Sequence, residues 1–182
     1  EFTQRVSQLV SSIEVTDASA VAEESLMMGA MVNRVQRDRA AGMVQQALDE
    51  GAKLLAQGSA PGQGAFYPPT VLQVTPESQI AQTEVFGPVL CVIPYNIEEE
   101  ALAIANGTDY GLVSGVFSQD INACLNLARR LRAGQVFINE WFAGGVETPF
   151  GGVKQSGYGR EKGREAMLNY VATKNIAVRL RS

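Results

Sequence analysis

An α/β fold, built on an open, largely parallel sheet flanked by helices, is what this chain predicts. Three observations carry the expectation. Strand-like and helix-like segments alternate between Val89 and Ile138, the strand-like ones are continuous apolar runs, and glycines stand where the helices should stop. Apolar runs separated by helices are the mark of strands covered on both faces.

Taken in order, Phe2, Val6, Leu9, Val10 and Ile13 recur at helical spacing, so residues 1–13 read as a helix. Thr16 to Met28 is small and acidic and ends at Gly29, which reads as a loop with at most one helical turn. Asn33 is placed to cap a helix whose face is Val35, Ala40, Met43, Val44, Ala47 and Leu48, stopped by Gly51. Ala52 to Ala56 reads as a short strand. Ser59 to Gly64 is a turn cluster, and Thr70 to Val74 follows in extended form beyond Pro68-Pro69.

Val89 to Tyr95 has the length and composition of a buried strand. Glu98 to Asn106 reads as a helix ended by Gly107, and Leu112 to Phe117 as a strand. Asp120 caps a helix through Arg132, with Gly134 as its stop, and Gln135 to Ile138 is a further strand. Strand, helix, strand, helix, strand in so short a stretch predicts parallel pairing with crossovers. Arg160 to Tyr170 reads as a helix and Lys174 to Leu180 as an exposed strand, giving one domain with a C-terminal tail.

Composition narrows the function. The 182 residues are 46% hydrophobic, enough for one substantial core. A net charge of −4 gives no reason to expect nucleic acid or an anionic membrane surface as partner. No apolar run approaches the ~20 residues that span a bilayer, and no basic region followed by an apolar stretch opens the chain, so no signal peptide is expected. Cys91 and Cys124 are the only cysteines and lie in different elements, which fits reduced thiols and a cytoplasmic location. The absence of histidine removes Ser-His-Asp and Cys-His chemistry, and two isolated cysteines cannot hold zinc, so no metal is expected. The chain opens with Glu1 and not Met, which suggests an excerpt or a processed form.

Ligands of open α/β sheets sit beyond the carboxyl ends of parallel strands. Asn139 to Tyr158 begins where the last strand ends, and its glycines let backbone approach a ligand closely. A tight packing loop without a ligand is the equal alternative. Gly157-Tyr-Gly159-Arg-Glu-Lys-Gly163 comes near a dinucleotide fingerprint, but its third glycine falls one residue late and no strand precedes it. It reads as a loop-to-helix junction.

Two segments say more: Glu84-Val-Phe-Gly-Pro-Val89 and Pro149-Phe-Gly-Gly-Val-Lys-Gln-Ser-Gly-Tyr-Gly-Arg-Glu161. With the text between them, and Glu50-Gly-Ala-Lys-Leu-Leu-Ala56 before them, they make the chain resemble the C-terminal portion of the NAD(P)-dependent aldehyde dehydrogenase superfamily over essentially its whole length. The resemblance implies part of that family's catalytic domain over residues 1–172 and an oligomerisation strand over 173–182, hence a homo-oligomer. It also implies oxidation of a small-molecule aldehyde to the acid with NAD or NADP, through a cysteine thiohemiacetal and thioester.

Carried over by position, the resemblance makes Glu84 the carboxylate that hydrogen-bonds the nicotinamide ribose and Phe86 the aromatic beside the nicotinamide ring. Asn139, Gly144 and Phe150 fall at the mouth around the aldehyde, with Trp141 and Phe142 as aromatic wall. Gly144 stands where many members carry an aromatic, which implies room for a bulkier or more polar aldehyde, and Glu147 would favour a cationic one. No catalytic residue is expected in this chain. The nucleophilic cysteine, the water-activating glutamate and the N-terminal coenzyme-binding domain are expected upstream of Glu1, leaving the fragment inactive alone. Cys91 and Cys124 read as structural. Two other readings stay open: a non-catalytic assembly module derived from the family, and an acylating or acyl-phosphate reductase of the same fold.

Overall fold

The computed structural model describes residues 1–17, 27–142 and 144–180. The chain divides into two compact units, Glu1–Tyr95 and Asn96–Ser182. The first carries α1 (Phe2–Ser12), β1 (Glu14–Val15), β2 (Met27–Met28), α2 (Arg34–Asp49), β3 (Lys53–Gln57), β4 (Thr70–Gln73), α3 (Gln79–Gln82) and β5 (Val89–Val92). The second carries α4 (Glu98–Asn106), β6 (Val113–Val116), α5 (Ile121–Arg130) and β7 (Gln135–Ile138), then 3-10 turns at Lys154–Ser156 and Arg164–Tyr170.

The chain is α/β, and its strand pairs are largely parallel. β1 pairs with β2, β4 with β5 and β6 with β7 in parallel, whereas β3 runs antiparallel to β4. Of the loop with at most one helical turn expected over Thr16–Met28, residues 18–26 lie outside the described residues, and Met27–Met28 is a strand instead. The segments flanking residues 18–26 form the β1–β2 pair, with Glu14 opposite Met27 and Val15 opposite Met28.

In the first unit the core gathers Val44 and Ala47 of α2, Tyr67, Leu72 of β4, Val74 and Ile80 of α3. The Asn33 side chain accepts from the Gln36 N–H at 2.8 Å, the cap that the sequence calls for, and α2 ends before Gly51 at φ 97°. β4 is central in its sheet, with Val71 and Leu72 fully buried. The expected fully buried strand at Val89–Tyr95 is instead the edge strand β5, half-buried and only four residues long, because one side of it has no ladder partner among the described residues.

In the second unit β6 and β7 pair across the α5 crossover in the expected order. Asp120 caps α5 by accepting from the Asn122 and Ala123 N–H groups at 2.9 and 3.1 Å. Helix ends are tied together by Asn106, which donates to the Arg130 carbonyl at 3.0 Å and accepts from the Arg132 N–H at 2.7 Å.

Two expectations change. The helix expected over Arg160–Tyr170 is a 3-10 segment that starts only at Arg164. Gly163 stops it earlier: its φ is 61° and its N–H is committed to the Val146 carbonyl at 2.7 Å, so no α-helical ladder passes through it. The Lys174–Leu180 segment forms no ladder with any described residue, and Ile176, Val178 and Leu180 are all exposed. A strand needs a partner, and the described residues of this unit offer none to it.

Candidate functional site

The first unit holds Glu84 and Phe86 on the connection from α3 to β5. This connection has no ladder of its own, so its carbonyls need donors from elsewhere. Helix α2 supplies them. Gln36 Nε2 donates to the carbonyls of Val85 at 2.8 Å and Phe86 at 3.1 Å. Arg39 donates to Val85 at 2.8 Å and, through both terminal nitrogens, to Glu84 at 3.3 and 3.2 Å. Positions 36 and 39 share a helix face, and Ala40 on the same side takes Gly87 against it: a Cβ on Gly87 would stand 3.1 Å from the Ala40 methyl.

This bracing has a conformational result. Phe86 sits at φ 51°, the left-handed region that a phenylalanine rarely occupies, and the residue is 70% exposed. Glu84 is also exposed. A carboxylate and a flat apolar ring thus face solvent two residues apart on a backbone held from behind. They suit a ligand with vicinal hydroxyls beside a planar ring.

The second unit holds Asn139, Gly144 and Phe150 on the loop that leaves β7. Asn139 lies at φ 55°, and both ends of its carboxamide are engaged by the backbone of Ser118, at 2.9 and 2.8 Å. Beyond it, Trp141 and Phe142 meet edge to face at 5.5 Å between ring centroids, and each lies about as close to Phe137 of β7, at 6.0 and 5.9 Å. Trp141 and Phe142 are each more than half exposed as residues.

Gly144 has φ 97°, and a Cβ there would collide with the Thr148 side chain. The glycine is required by the backbone of this loop, whatever space it leaves in front. Thr148 Oγ1 in turn donates to the Gly145 carbonyl at 2.8 Å. The Glu147 carboxylate is fully exposed. Its own backbone N–H and that of Gly145, helped by the charge of Lys162, hold its pKa below the ordinary value. Phe150 exchanges two backbone hydrogen bonds with Glu161, and Lys162 Nζ lies 5.7 Å over its ring.

Residues 1–176 match the sequence model described as the aldehyde dehydrogenase family. This chain belongs to the aldehyde dehydrogenase family. It is 37% identical over 182 residues to a betaine aldehyde dehydrogenase of Sinorhizobium fredii, covering 97% of this chain and 37% of that protein. The chloroplastic betaine aldehyde dehydrogenase of Beta vulgaris is also 37% identical, over 180 residues, with 97% and 35% covered. Among solved structures, betaine aldehyde dehydrogenase from Staphylococcus aureus in complex with NAD+ superposes with a TM-score of 0.87 at 33% identity, over 95% of this chain and 35% of that one. The chain thus spans a little over a third of the length of the curated relatives it matches.

Family membership leaves the roles of single residues to geometry. Glu84 and Phe86 stand on one connection of the first unit, and Asn139, Gly144 and Phe150 on one loop of the second. Gln36, Arg39 and Ser118 were not singled out in the sequence, yet they hold these two segments. The thiols are not poised for attack. Burial pushes the Cys91 pKa up, and Cys124 is fully buried in α5 with its Sγ 3.8 Å from the Ser118 carbonyl. The near-fingerprint glycines, Gly157 and Gly159, sit in left-handed turns before a 3-10 segment with no buried residue. Among the described residues no helix is long and apolar enough to cross a membrane.

Proposed function

We propose that this chain is the C-terminal part of the catalytic domain of an enzyme that oxidises an aldehyde to its carboxylic acid with NAD or NADP. The observation that carries the reading is the Glu84–Phe86 pair, exposed on a segment that Gln36 and Arg39 brace, in a chain of the aldehyde dehydrogenase family. The cofactor, when bound, accepts the hydride that leaves the aldehyde carbon. Glu84 accepts hydrogen bonds from the ribose hydroxyls beside the nicotinamide, and Phe86 offers its ring to that end of the cofactor. The nucleophilic cysteine, the glutamate that activates water and the coenzyme-binding domain come from the rest of the polypeptide.

The glycine loop supplies the aldehyde mouth. Two exposed aromatic faces, Trp141 and Phe142, and the ionised Glu147 suit an aldehyde that carries a cationic group, as the name of the Sinorhizobium fredii relative describes for its own substrate. The exposed apolar residues Ile176, Val178 and Leu180 pair with a second copy, making the enzyme a homo-oligomer.

The test is to assay the 182-residue chain and the natural polypeptide that contains it, with NAD+ and with NADP+. Betaine aldehyde is set against its neutral carbon isostere. The reading expects reduced cofactor from the natural polypeptide, faster with the cationic aldehyde, and none from the 182 residues alone. Turnover by the isolated chain, or a natural product whose intact mass stops at these 182 residues, contradicts it.

A further inference from the structure

The end of β7 carries more than a change of direction. The last ladder bond of the β6–β7 pair is made by the Asn139 N–H, which donates to the Val116 carbonyl at 2.9 Å. The chain then turns through φ 55° and leaves the sheet. The Asn139 side chain continues where the backbone has stopped: Oδ1 accepts from the Ser118 N–H at 2.9 Å, and Nδ2 donates to the Ser118 carbonyl at 2.8 Å. One carboxamide makes a further rung, with a peptide's own donor and acceptor. Only a side chain holding both, on a residue that tolerates the left-handed region, can do this, and asparagine meets both conditions.

Ser118 is itself fixed. Its Oγ accepts from the Asp120 N–H at 3.1 Å, and Asp120 caps α5. The rung therefore ties the exit of β7 to the start of the crossover helix. Two residues beyond Asn139, the Trp141 indole lies on the floor of β6, where a Cβ added to Gly115 would stand 3.0 Å from Cζ3. The indole is set by the Gly115 floor on one side and by the direction of the chain at Asn139 on the other. Phe142, packed edge to face on Trp141, follows it.

We propose that Asn139 is a latch, closed on Ser118, that positions the Trp141–Phe142 pair for aldehyde recognition. It acts on the aldehyde through these two rings, its own carboxamide being held by Ser118 at both its oxygen and its nitrogen. The recognition role rests on the reading of this loop as the aldehyde mouth; the latch itself does not.

The experiment uses the complete enzyme with Asn139→Asp, Asn139→Gly and Gly115→Ala, reading amide exchange at Ser118 together with KM for a bulky aldehyde, KM for the cofactor and kcat. Aspartate keeps the acceptor, and glycine keeps only the backbone freedom. Exchange at Ser118 should therefore rise about tenfold or more in Asn139→Gly and much less in Asn139→Asp. The aldehyde KM should rise in the same order, about tenfold for glycine, with the cofactor KM within about twofold of the parent. Gly115→Ala crowds the indole without touching the latch, so it should shift the aldehyde KM and leave Ser118 exchange unchanged.

Unchanged Ser118 exchange in Asn139→Gly overturns the latch. A parallel loss in aldehyde KM, cofactor KM and kcat overturns the positioning role. If Trp141→Ala leaves the aldehyde KM unchanged while Ser118 exchange still responds to Asn139→Gly, the aldehyde-mouth reading fails and the recognition role falls with it.

Discussion

Arg39 holds Val85 by its backbone, one guanidinium nitrogen donating to the Val85 carbonyl at 2.8 Å while the group also reaches the carbonyl of Glu84. Because this is a contact to main chain, it constrains where Glu84 and Phe86 stand without selecting their identity. Arg39→Met keeps the apolar stem and removes the donors. We expect it to cost about 1 kcal/mol in stability and to speed amide exchange between Glu84 and Val89. Urea unfolding with exchange mass spectrometry reads both, and unchanged exchange would mean that the segment holds its shape without the clamp.

Glycines in this chain separate into those the packing requires and those it does not. A Cβ on Gly134 would overlap the Gly151 carbonyl, backbone against backbone, whereas one on Gly42 inside α2 meets nothing within 4 Å. Gly134→Ala should destabilise the second unit by about 3 kcal/mol. Gly42→Ala should stabilise the first by about 1 kcal/mol through helix propensity. Thermal or urea unfolding of the two variants checks the opposite signs, and a loss in both would show that α2 has a contact the packing does not reveal.

The Cys91 thiol titrates above its ordinary value because burial disfavours the thiolate. A raised folded-state pKa means that the folded chain holds this proton more tightly than the unfolded one. Its contribution to stability is complete below the unfolded thiol pKa of about 8.5 and is lost as pH rises through the folded value. Alkylation at neutral pH should therefore be slow at Cys91 and slower still at the buried Cys124, with Cys91 accelerating only in alkali. Fast modification of Cys91 at neutral pH, mapped by mass spectrometry, would count against this.

Ile176, Val178 and Leu180 are each more than three-quarters exposed, with no ladder partner among the described residues. If this tail pairs with a second copy, Val178→Lys should shift the complete enzyme toward smaller assemblies in sedimentation. A mutant whose assembly matches the parent at all concentrations would remove the tail from the interface.

What was legible in the sequence was local. The Asn33 cap, the stops after α2 and α4, the Asp120 cap and the Gln135–Ile138 strand all follow from residue types a few positions apart. Unread features depend on partners. A two-residue ladder such as Glu14–Val15 with Met27–Met28 has no period to detect, and the one-turn helix Gln79–Gln82 has little more. The alternation that suggested a strand in the tail says nothing about whether a partner exists. For the candidate site, the family resemblance pointed to Glu84, Phe86 and the glycine loop. It did not expose the bracing: Gln36 and Arg39 look like a solvated helix face until their carbonyl partners some 45 to 50 residues away are seen. Asn139 likewise reads as a polar residue after a strand, because its partner Ser118 lies 21 positions earlier.

We propose that the Glu84–Phe86 segment supplies the nicotinamide-ribose contact of an aldehyde-oxidising enzyme. Glu84→Ala in the complete enzyme tests it most directly, by steady-state kinetics with varied cofactor. The expected result is a fall in kcat over cofactor KM of about tenfold or more, as befits loss of a carboxylate accepting hydrogen bonds, with the aldehyde KM little changed. A variant whose cofactor kinetics match the parent would contradict it.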